Sequence, residues 1–187
     1  WYTQPELTTN IINTINNGVG IINYIGHGTH ETLADEDILK MDRDIDLIDV
    51  NGKLPIWVIG TCSFGNYDNN TCMAEELLKT SDGAIAIIAT TEGIGVTENN
   101  NYITEFYNLV NKYIIDDNNY RLGAIFKKAK ENNLSECNKY NFQLFGDPAM
   151  PLILAKKTNN SEIFNNINIS IGSENQISSN LAGLSYI

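Results

Sequence analysis

Basic side chains are scarce in this sequence. Twelve Lys and Arg residues stand against 23 Asp and Glu residues, which gives a formal net charge of −11 over 187 residues. Proteins bind nucleic-acid backbones with clustered Lys and Arg, so this balance argues against a nucleic-acid partner. Long apolar runs are also missing. None approaches the roughly 20 residues that cross a bilayer, and we predict no transmembrane segment.

Cysteine is rare as well, and its three occurrences are Cys62, Cys72 and Cys137. Their number and spacing fit neither a disulfide framework nor a four-thiolate zinc site. At least one thiol is therefore free or paired with another chain, and we expect Cys72 and Cys137 to pack in the core or to be incidental. The chain begins at Trp1 without a signal-peptide pattern in residues 1–18, and we interpret it as a piece of a longer protein.

Helical and strand patterns alternate along the chain. Apolar residues at helical spacing predict four helices, the second of them capped near Thr71, and short apolar runs predict three strands. The predicted helices cover residues 5–17, 71–80, 99–115 and 121–131, and the strands cover 19–25, 54–60 and 83–90. We interpret residues 31–52 as an acidic loop with one or two helical turns, and residues 139–154 as apolar anchors around a turn. The alternation predicts an α/β fold whose mainly parallel sheet is covered on both faces.

The ends of the first two predicted strands carry residues typical of an active site. The first strand runs into Gly26-His27-Gly28 and the second into Thr61-Cys62-Ser63. Chemistry in open parallel sheets lies beyond the carboxyl ends of the strands, and neighbouring strands are about 4.8 Å apart. If these strands are neighbours, His27 lies beside Cys62, where an imidazole accepts the proton of a thiol nucleophile. The amides of Gly28 and Cys62 are then natural donors to an oxyanion.

The third strand also ends in polar residues, Thr90-Thr91-Glu92. By the same rule they lie at the edge that holds His27 and Cys62, and we predict that they contribute to a substrate-binding pocket. A glutamate in such a pocket favours a basic substrate side chain, whereas a solvated surface glutamate is the alternative interpretation of Glu92.

Other interpretations of these residues stay open. His27 and His30 lie close to Asp35 and Asp37 in the sequence, which is also compatible with a metal site, although a strand end does not align residues three apart as a helix does. A single cysteine at the end of a strand is often a small buried apolar residue rather than a nucleophile.

Four separated blocks of the sequence resemble one enzyme family. The blocks are INYIGHG, LPIWVIGTCSFGNYD, AEELLKTSDGAIAIIATT and NFQLFGDPAMPL. In this order and spacing they resemble the gingipain-type cysteine peptidases of the caspase-like clan, over roughly residues 10–155. The second and fourth blocks are most similar to the PorU-like, sortase-like branch of the type IX secretion system.

The resemblance implies a fold and a mechanism. It implies a caspase-like, three-layer α/β/α sandwich, of which this chain is the C-terminal part, with His27 as general acid/base and Cys62 as nucleophile. It implies the amides of Gly28 and Cys62 as the oxyanion hole and no cofactor. Protein or peptide substrates, secretion-system partners and an exported, cell-surface or extracellular location are implied as well.

The resemblance also implies a domain boundary. Residues 1–157 would be the peptidase domain, and residues 158–187 a linker with one more strand, INISIG, at the start of an immunoglobulin-like β domain. The acidic residue that orients the histidine in the family precedes the Gly-His-Gly segment, where this chain offers only Glu6. In place of the arginine-containing stretch expected in the PorU-like branch, the sequence reads Thr91-Glu92-Gly93. The rival function is an inactive peptidase-like module that binds a secretion or surface partner.

Overall fold

The computed structural model describes residues 3–68, 71–115, 120–133 and 140–152. These residues form five helices, one 3₁₀ turn and six strands. The helices are α1 (Pro5–Asn16), α2 (Met41–Asp44), α3 (Met73–Lys79), α4 (Val96–Ile115) and α5 (Leu122–Asn133), and the 3₁₀ turn covers Ile45–Leu47. The strands are β1 (Ile21–Ile25), β2 (Thr32–Leu33), β3 (Leu39–Lys40), β4 (Ile56–Gly60), β5 (Ala86–Thr90) and β6 (Phe142–Phe145).

The main sheet has the strand order β1-β4-β5-β6. The strands β1, β4 and β5 are parallel, and β6 runs antiparallel to β5. The predicted pairing of the first two strands is confirmed, with Ile25 opposite Gly60. The predicted parallel α/β architecture is confirmed as well.

Two apolar layers enclose this sheet. Alternate residues of β4 point to opposite faces, so Trp57 packs in a core shared with α1 and α3, whereas Val58 packs in a second core shared with α4 and α5. Every residue of β4 and β5 is buried. Because a strand covered on both faces favours apolar side chains, these runs are apolar except for Thr90 at the end of β5.

Helix α1 shows how the sequence sets the boundaries of an element. Pro5 occupies its first turn, where a missing amide donor costs nothing, and Ile12 and Ile15 are buried on one face. Gly18 follows with a φ of 96°, a left-handed conformation that favours glycine, and its amide donates to the carbonyl of Ile15. The predicted helix over residues 5–17 is therefore confirmed.

Four regions differ from the sequence-based predictions. Strand β6 lies in the segment interpreted as anchors and a turn, and the acidic loop contains the β2–β3 hairpin in addition to its helical turns. Helix α3 begins after Cys72 rather than Thr71, because the Cys72 amide donates to the Glu75 carboxylate at 3.2 Å. Helix α4 begins at Val96, three residues early, because the carbonyl of Gly95 accepts the amide of Asn99 at 2.9 Å.

Some predictions lie outside the described residues. These are the INISIG strand, the domain boundary near residue 157 and the position of Cys137, and each stays a prediction. Within the described ranges, no helix is both long and apolar enough to cross a membrane.

The tyrosines of α4 give a test of the second core. The hydroxyls of Tyr102 and Tyr107 are buried without a hydrogen-bond partner among the described residues, and burial raises the pKa of both above the ordinary 10.0. The ionisation of these phenols therefore leaves the free energy of unfolding unchanged below about pH 10 and lowers it as the pH rises further, since only the unfolded phenols ionise there. We expect the free energy of unfolding to fall less steeply above about pH 10 in the Tyr102→Phe/Tyr107→Phe variant than in the wild type.

Urea unfolding from about pH 8 to pH 11 measures this difference. At neutral pH, removing a buried hydroxyl that has no partner should raise the free energy of unfolding by about 1 kcal/mol per site. Tyr24→Phe is the control with a partnered hydroxyl, since the Tyr24 hydroxyl donates to the carbonyl of His27 at 2.9 Å. Removing this hydroxyl should lower the free energy of unfolding at neutral pH. Equal alkaline slopes in the wild type and the double variant would contradict the prediction.

Candidate active site

His27 and Cys62 follow two neighbouring parallel strands at the same distance. The last pair of the ladder joins Ile25 to Gly60, and His27 and Cys62 each come two positions after the end of their strand. The amide of Gly26 donates to the carbonyl of Gly60 at 3.1 Å, so the pairing continues past the end of β1. The register therefore places His27 and Cys62 at corresponding positions beyond one edge of the sheet. His27 is exposed and Cys62 is half-buried, as a pair open to a substrate requires.

The loop after β1, which carries His27, is called the histidine loop, and the loop after β4, which carries Cys62, is called the cysteine loop. These two loops are in contact at Gly28. A Cβ atom on Gly28 would lie 3.1 Å from Cβ of Thr61 and 2.9 Å from the carbonyl oxygen of Thr32. Gly28 also forms an antiparallel bridge with Leu33, which folds the β2–β3 hairpin back over the loop. A side chain at position 28 would thus separate the histidine loop from the cysteine loop.

Gly26 is needed for a different reason. Tyr24 and Gly26 share one face of the strand, and a Cβ on Gly26 would lie 2.5 Å from the Tyr24 hydroxyl. That hydroxyl donates to the carbonyl of His27 and so holds the histidine loop against its own strand. Burial raises the pKa of Tyr24, and the nearby Glu36 carboxylate adds to the rise, so the phenol keeps its proton for this bond.

Hydrogen bonds hold the cysteine loop on both sides of Cys62. The carbonyl of Gly60 accepts the side-chain amide of the buried Asn99 at 2.7 Å, in addition to the Gly26 amide. The Ser63 amide donates to the carbonyl of Glu92 at 3.3 Å. Ser63 has a φ of 61°, a left-handed conformation that is costly for a residue other than glycine and that turns the chain sharply after Cys62.

The amides of Gly28 and Cys62 are free among the described residues, whose hydrogen bonds engage neither of them. The bridge at Gly28 uses the amides of Thr29 and Ala34 instead. Two free amides at adjoining strand ends are the feature that an oxyanion hole requires.

The residues predicted to bind substrate occupy different environments. Thr90 is fully buried, and its hydroxyl donates to the carbonyl of Thr61, so its side chain is closed off from a substrate. Thr91 is half-buried, and its amide donates to the carbonyl of Asn141 at 2.7 Å. Glu92 is exposed, and its backbone contacts the cysteine loop through Ser63.

The other candidate residues lie apart from this arrangement. His30 Nε2 lies 3.6 Å from a carboxylate oxygen of Glu31. Among the residues that the structure describes, no three potential ligands converge as a metal site would need. Cys72 is fully buried in the first core, as predicted, and Glu6 is exposed in the first turn of α1.

Sequence reasoning did not identify Tyr24 and Asn99. The spacing of Tyr24 two residues before Gly26 was a usable signal, because it places an aromatic ring over a position without a side chain. Asn99 had no comparable signal, since its partner Gly60 is 39 residues away in the sequence.

Comparisons with known proteins agree with this fold. The model of peptidase family C25 matches residues 1–153. Among solved structures, the Arg-specific cysteine proteinase gingipain R (RgpB) is similar with a TM-score of 0.69 and 19% identity, over 80% of this chain and 36% of that chain. A complex of Porphyromonas gingivalis RgpB pro- and mature domains gives a TM-score of 0.63 and 20% identity, over 79% and 36% of the two chains.

A third solved structure, described as a protease, gives a TM-score of 0.65 and 16% identity over 76% of this chain and 37% of that chain. No curated protein sequence matches this chain significantly. The chain belongs to peptidase family C25, a family of cysteine peptidases, and it has the caspase-like α/β fold of gingipain R. It spans a little over a third of the length of these solved relatives. The PorU-like branch stays a prediction.

The contact at Gly28 gives a test of the site's architecture. Gly28→Ala forces a Cβ atom against a backbone oxygen and the side chain of Thr61, and overpacking of this kind costs about 1–3 kcal/mol. We expect the free energy of unfolding, measured in urea, to fall by that amount.

Gly93→Ala is the matched control for Gly28→Ala. It adds the same methyl group to a loop at the same edge of the sheet, where no atom lies within 4 Å of the added Cβ. We expect a change below about 1 kcal/mol there. Equal effects of the two substitutions would mean that Gly28 is not confined by Thr32 and Thr61.

Proposed function

We propose that this chain carries the nucleophile and the general acid/base of a cysteine-type endopeptidase. The observation that carries the proposal is the register of β1 and β4, in which Ile25 pairs with Gly60 two positions before His27 and Cys62. Membership of a peptidase family and the two free amides beside these residues support it.

The proposed reaction has two steps. Cys62 Sγ attacks the carbonyl carbon of the scissile peptide bond while His27 takes the thiol proton, and the amides of Gly28 and Cys62 stabilise the oxyanion. His27 then protonates the leaving amine as the C–N bond breaks, which leaves a thioester on Cys62. Attack by water on the thioester, with His27 as base, releases the acid and restores the thiol.

The substrate in this proposal is a protein or a peptide, and no cofactor takes part. Thr91 and Glu92 adjoin the cysteine loop through the Ser63–Glu92 hydrogen bond, which supports a role for this segment in substrate binding. Glu92 is exposed there and is suited to a basic side chain. An amine in place of water would join the acyl group to an acceptor, the sortase-like outcome expected for the PorU-like branch. We propose an exported, cell-surface or extracellular setting with secretion-system partners, by analogy with the family.

Activity of the full-length protein tests the proposal. We expect Cys62→Ala to abolish cleavage of a denatured protein substrate, and His27→Ala to slow it by at least about 10²-fold, the lower range for general acid/base catalysis. The cleavage rate and the rate of Cys62 alkylation by iodoacetamide should fall together in His27→Ala, because both need the thiol proton removed.

Two matched controls accompany these variants. His30→Ala removes the other histidine, which pairs with Glu31, and Cys72→Ala removes a buried thiol of the first core. Both should keep cleavage within about threefold of the wild type. Undiminished cleavage by Cys62→Ala would refute the proposal. A wild-type protein that cleaves nothing, with alkylation of Cys62 insensitive to His27→Ala, would favour the inactive binding module.

A further inference from the structure

We propose that Thr90 is a positioning residue that aims the Cys62 amide at the oxyanion. This inference rests on the proposed function and assigns Thr90 a task within the same site. Its basis is the hydrogen bond from the Thr90 hydroxyl to the carbonyl of Thr61, which is buried and joins the ends of β4 and β5.

The geometry of one peptide group links this bond to the reaction. The carbonyl of Thr61 and the amide of Cys62 belong to the same planar, trans unit, so the C=O and N–H bonds point in opposite directions. A hydroxyl that fixes the direction of the carbonyl therefore fixes the direction of the N–H. Donation to the carbonyl also polarises the peptide group and makes its N–H a stronger donor.

The surroundings make this hydrogen bond rigid. Thr90 is 0% exposed and Thr61 is 1% exposed, so water does not compete for either group. The carbonyl of Thr90 accepts the Gly65 amide at 2.8 Å, which ties the cysteine loop to the same residue a second time. The neighbouring residue Gly60 is held separately by Asn99 and Gly26, so among the described residues the Thr90 hydroxyl is the hydrogen-bond partner of the peptide that carries the Cys62 amide.

The burial of Thr90 separates this role from substrate binding. A side chain that contacted the substrate would need an exposed atom, and Thr90 has none. Loss of the Thr90 hydroxyl should then weaken stabilisation of the oxyanion and leave substrate binding unchanged. The expected result is a lower kcat at constant KM.

Substitutions in the full-length protein test this role. Thr90→Val keeps the size of the side chain and removes the hydroxyl, Thr90→Ser keeps the hydroxyl, and Thr90→Ala is a second variant without one. Thr8→Val is the matched control, because Thr8 is also buried and its hydroxyl also donates to a backbone carbonyl, that of Gln4 at 3.2 Å in α1.

Two probes of Cys62 distinguish a loss of the amide's orientation from a general loss of thiol reactivity. The first probe is a peptide aldehyde with a basic or a neutral terminal residue. The thiol adds to its carbonyl group, so that an S–C bond forms and the carbonyl oxygen takes up the thiol proton. The oxygen of the resulting hemithioacetal occupies the position of the oxyanion and is bound by the same donors. Iodoacetamide alkylates the same sulfur with loss of iodide and places no oxygen there. The kcat, the KM, the aldehyde affinity and the alkylation rate are measured for each variant.

We expect Thr90→Val and Thr90→Ala to lose at least about tenfold in kcat and aldehyde affinity, less than the roughly 10²- to 10³-fold lost when an oxyanion donor is removed. Their KM and alkylation rate should stay within about threefold of the wild type, as should every parameter of Thr90→Ser and Thr8→Val. An unchanged kcat in the valine and alanine variants, or an equal fall in alkylation, would overturn this inference and leave the peptidase assignment standing. A wild-type Cys62 that binds no aldehyde would overturn both.

Discussion

The parallel register between β1 and β4 is the constraint on which the candidate site depends. A shift of one residue would turn every side chain of β1 to the opposite face and move His27 away from the level of Cys62. The shift is opposed because β4 is buried on both faces and Ile22 of β1 packs beside its partner Trp57 in the same core. The core therefore sets the register, and the register sets the distance between an imidazole and a thiol that are 35 positions apart in the sequence.

Close contacts beyond the strand ends keep this alignment. Gly28 lies against Thr61, Tyr24 covers Gly26, and Asn99 reaches the carbonyl of Gly60 from α4. Each hydrogen bond contributes only about 1 kcal/mol in net terms, but together they fix the backbone on both sides of Cys62. These contacts hold the loops against their neighbours, while His27 is exposed and Cys62 is half-buried.

Sequence reasoning identified the parts of the site that depend on strand ends. Alternating helices and apolar strands predict a parallel sheet, and the position of His27 and Cys62 after two such strands then brings them to one edge. It did not identify β6, because four residues beside a Gly-Asp-Pro turn are too few to establish an alternating pattern. Phe142 is buried against Tyr102, with ring centroids 3.9 Å apart, and the local sequence does not record this distant contact. Contacts such as that between Thr90 and Thr61 join a side chain to a distant backbone group, and no local pattern records them.

A disulfide trap tests directly whether positions 27 and 62 are adjacent. In a His27→Cys variant, the register predicts that Cα atoms at positions 27 and 62 lie near the spacing of adjacent strands, about 4.8 Å, which is within the range of about 4.4–6.8 Å that a disulfide spans. Mild oxidation followed by peptide mapping should then show a bond between positions 27 and 62. The Lys53→Cys variant is the control, because its cysteine precedes β4 at the opposite edge of the sheet, and it should form no bond with Cys62. A position-27 thiol that never joins Cys62 would contradict the shared edge and the peptidase site built on it.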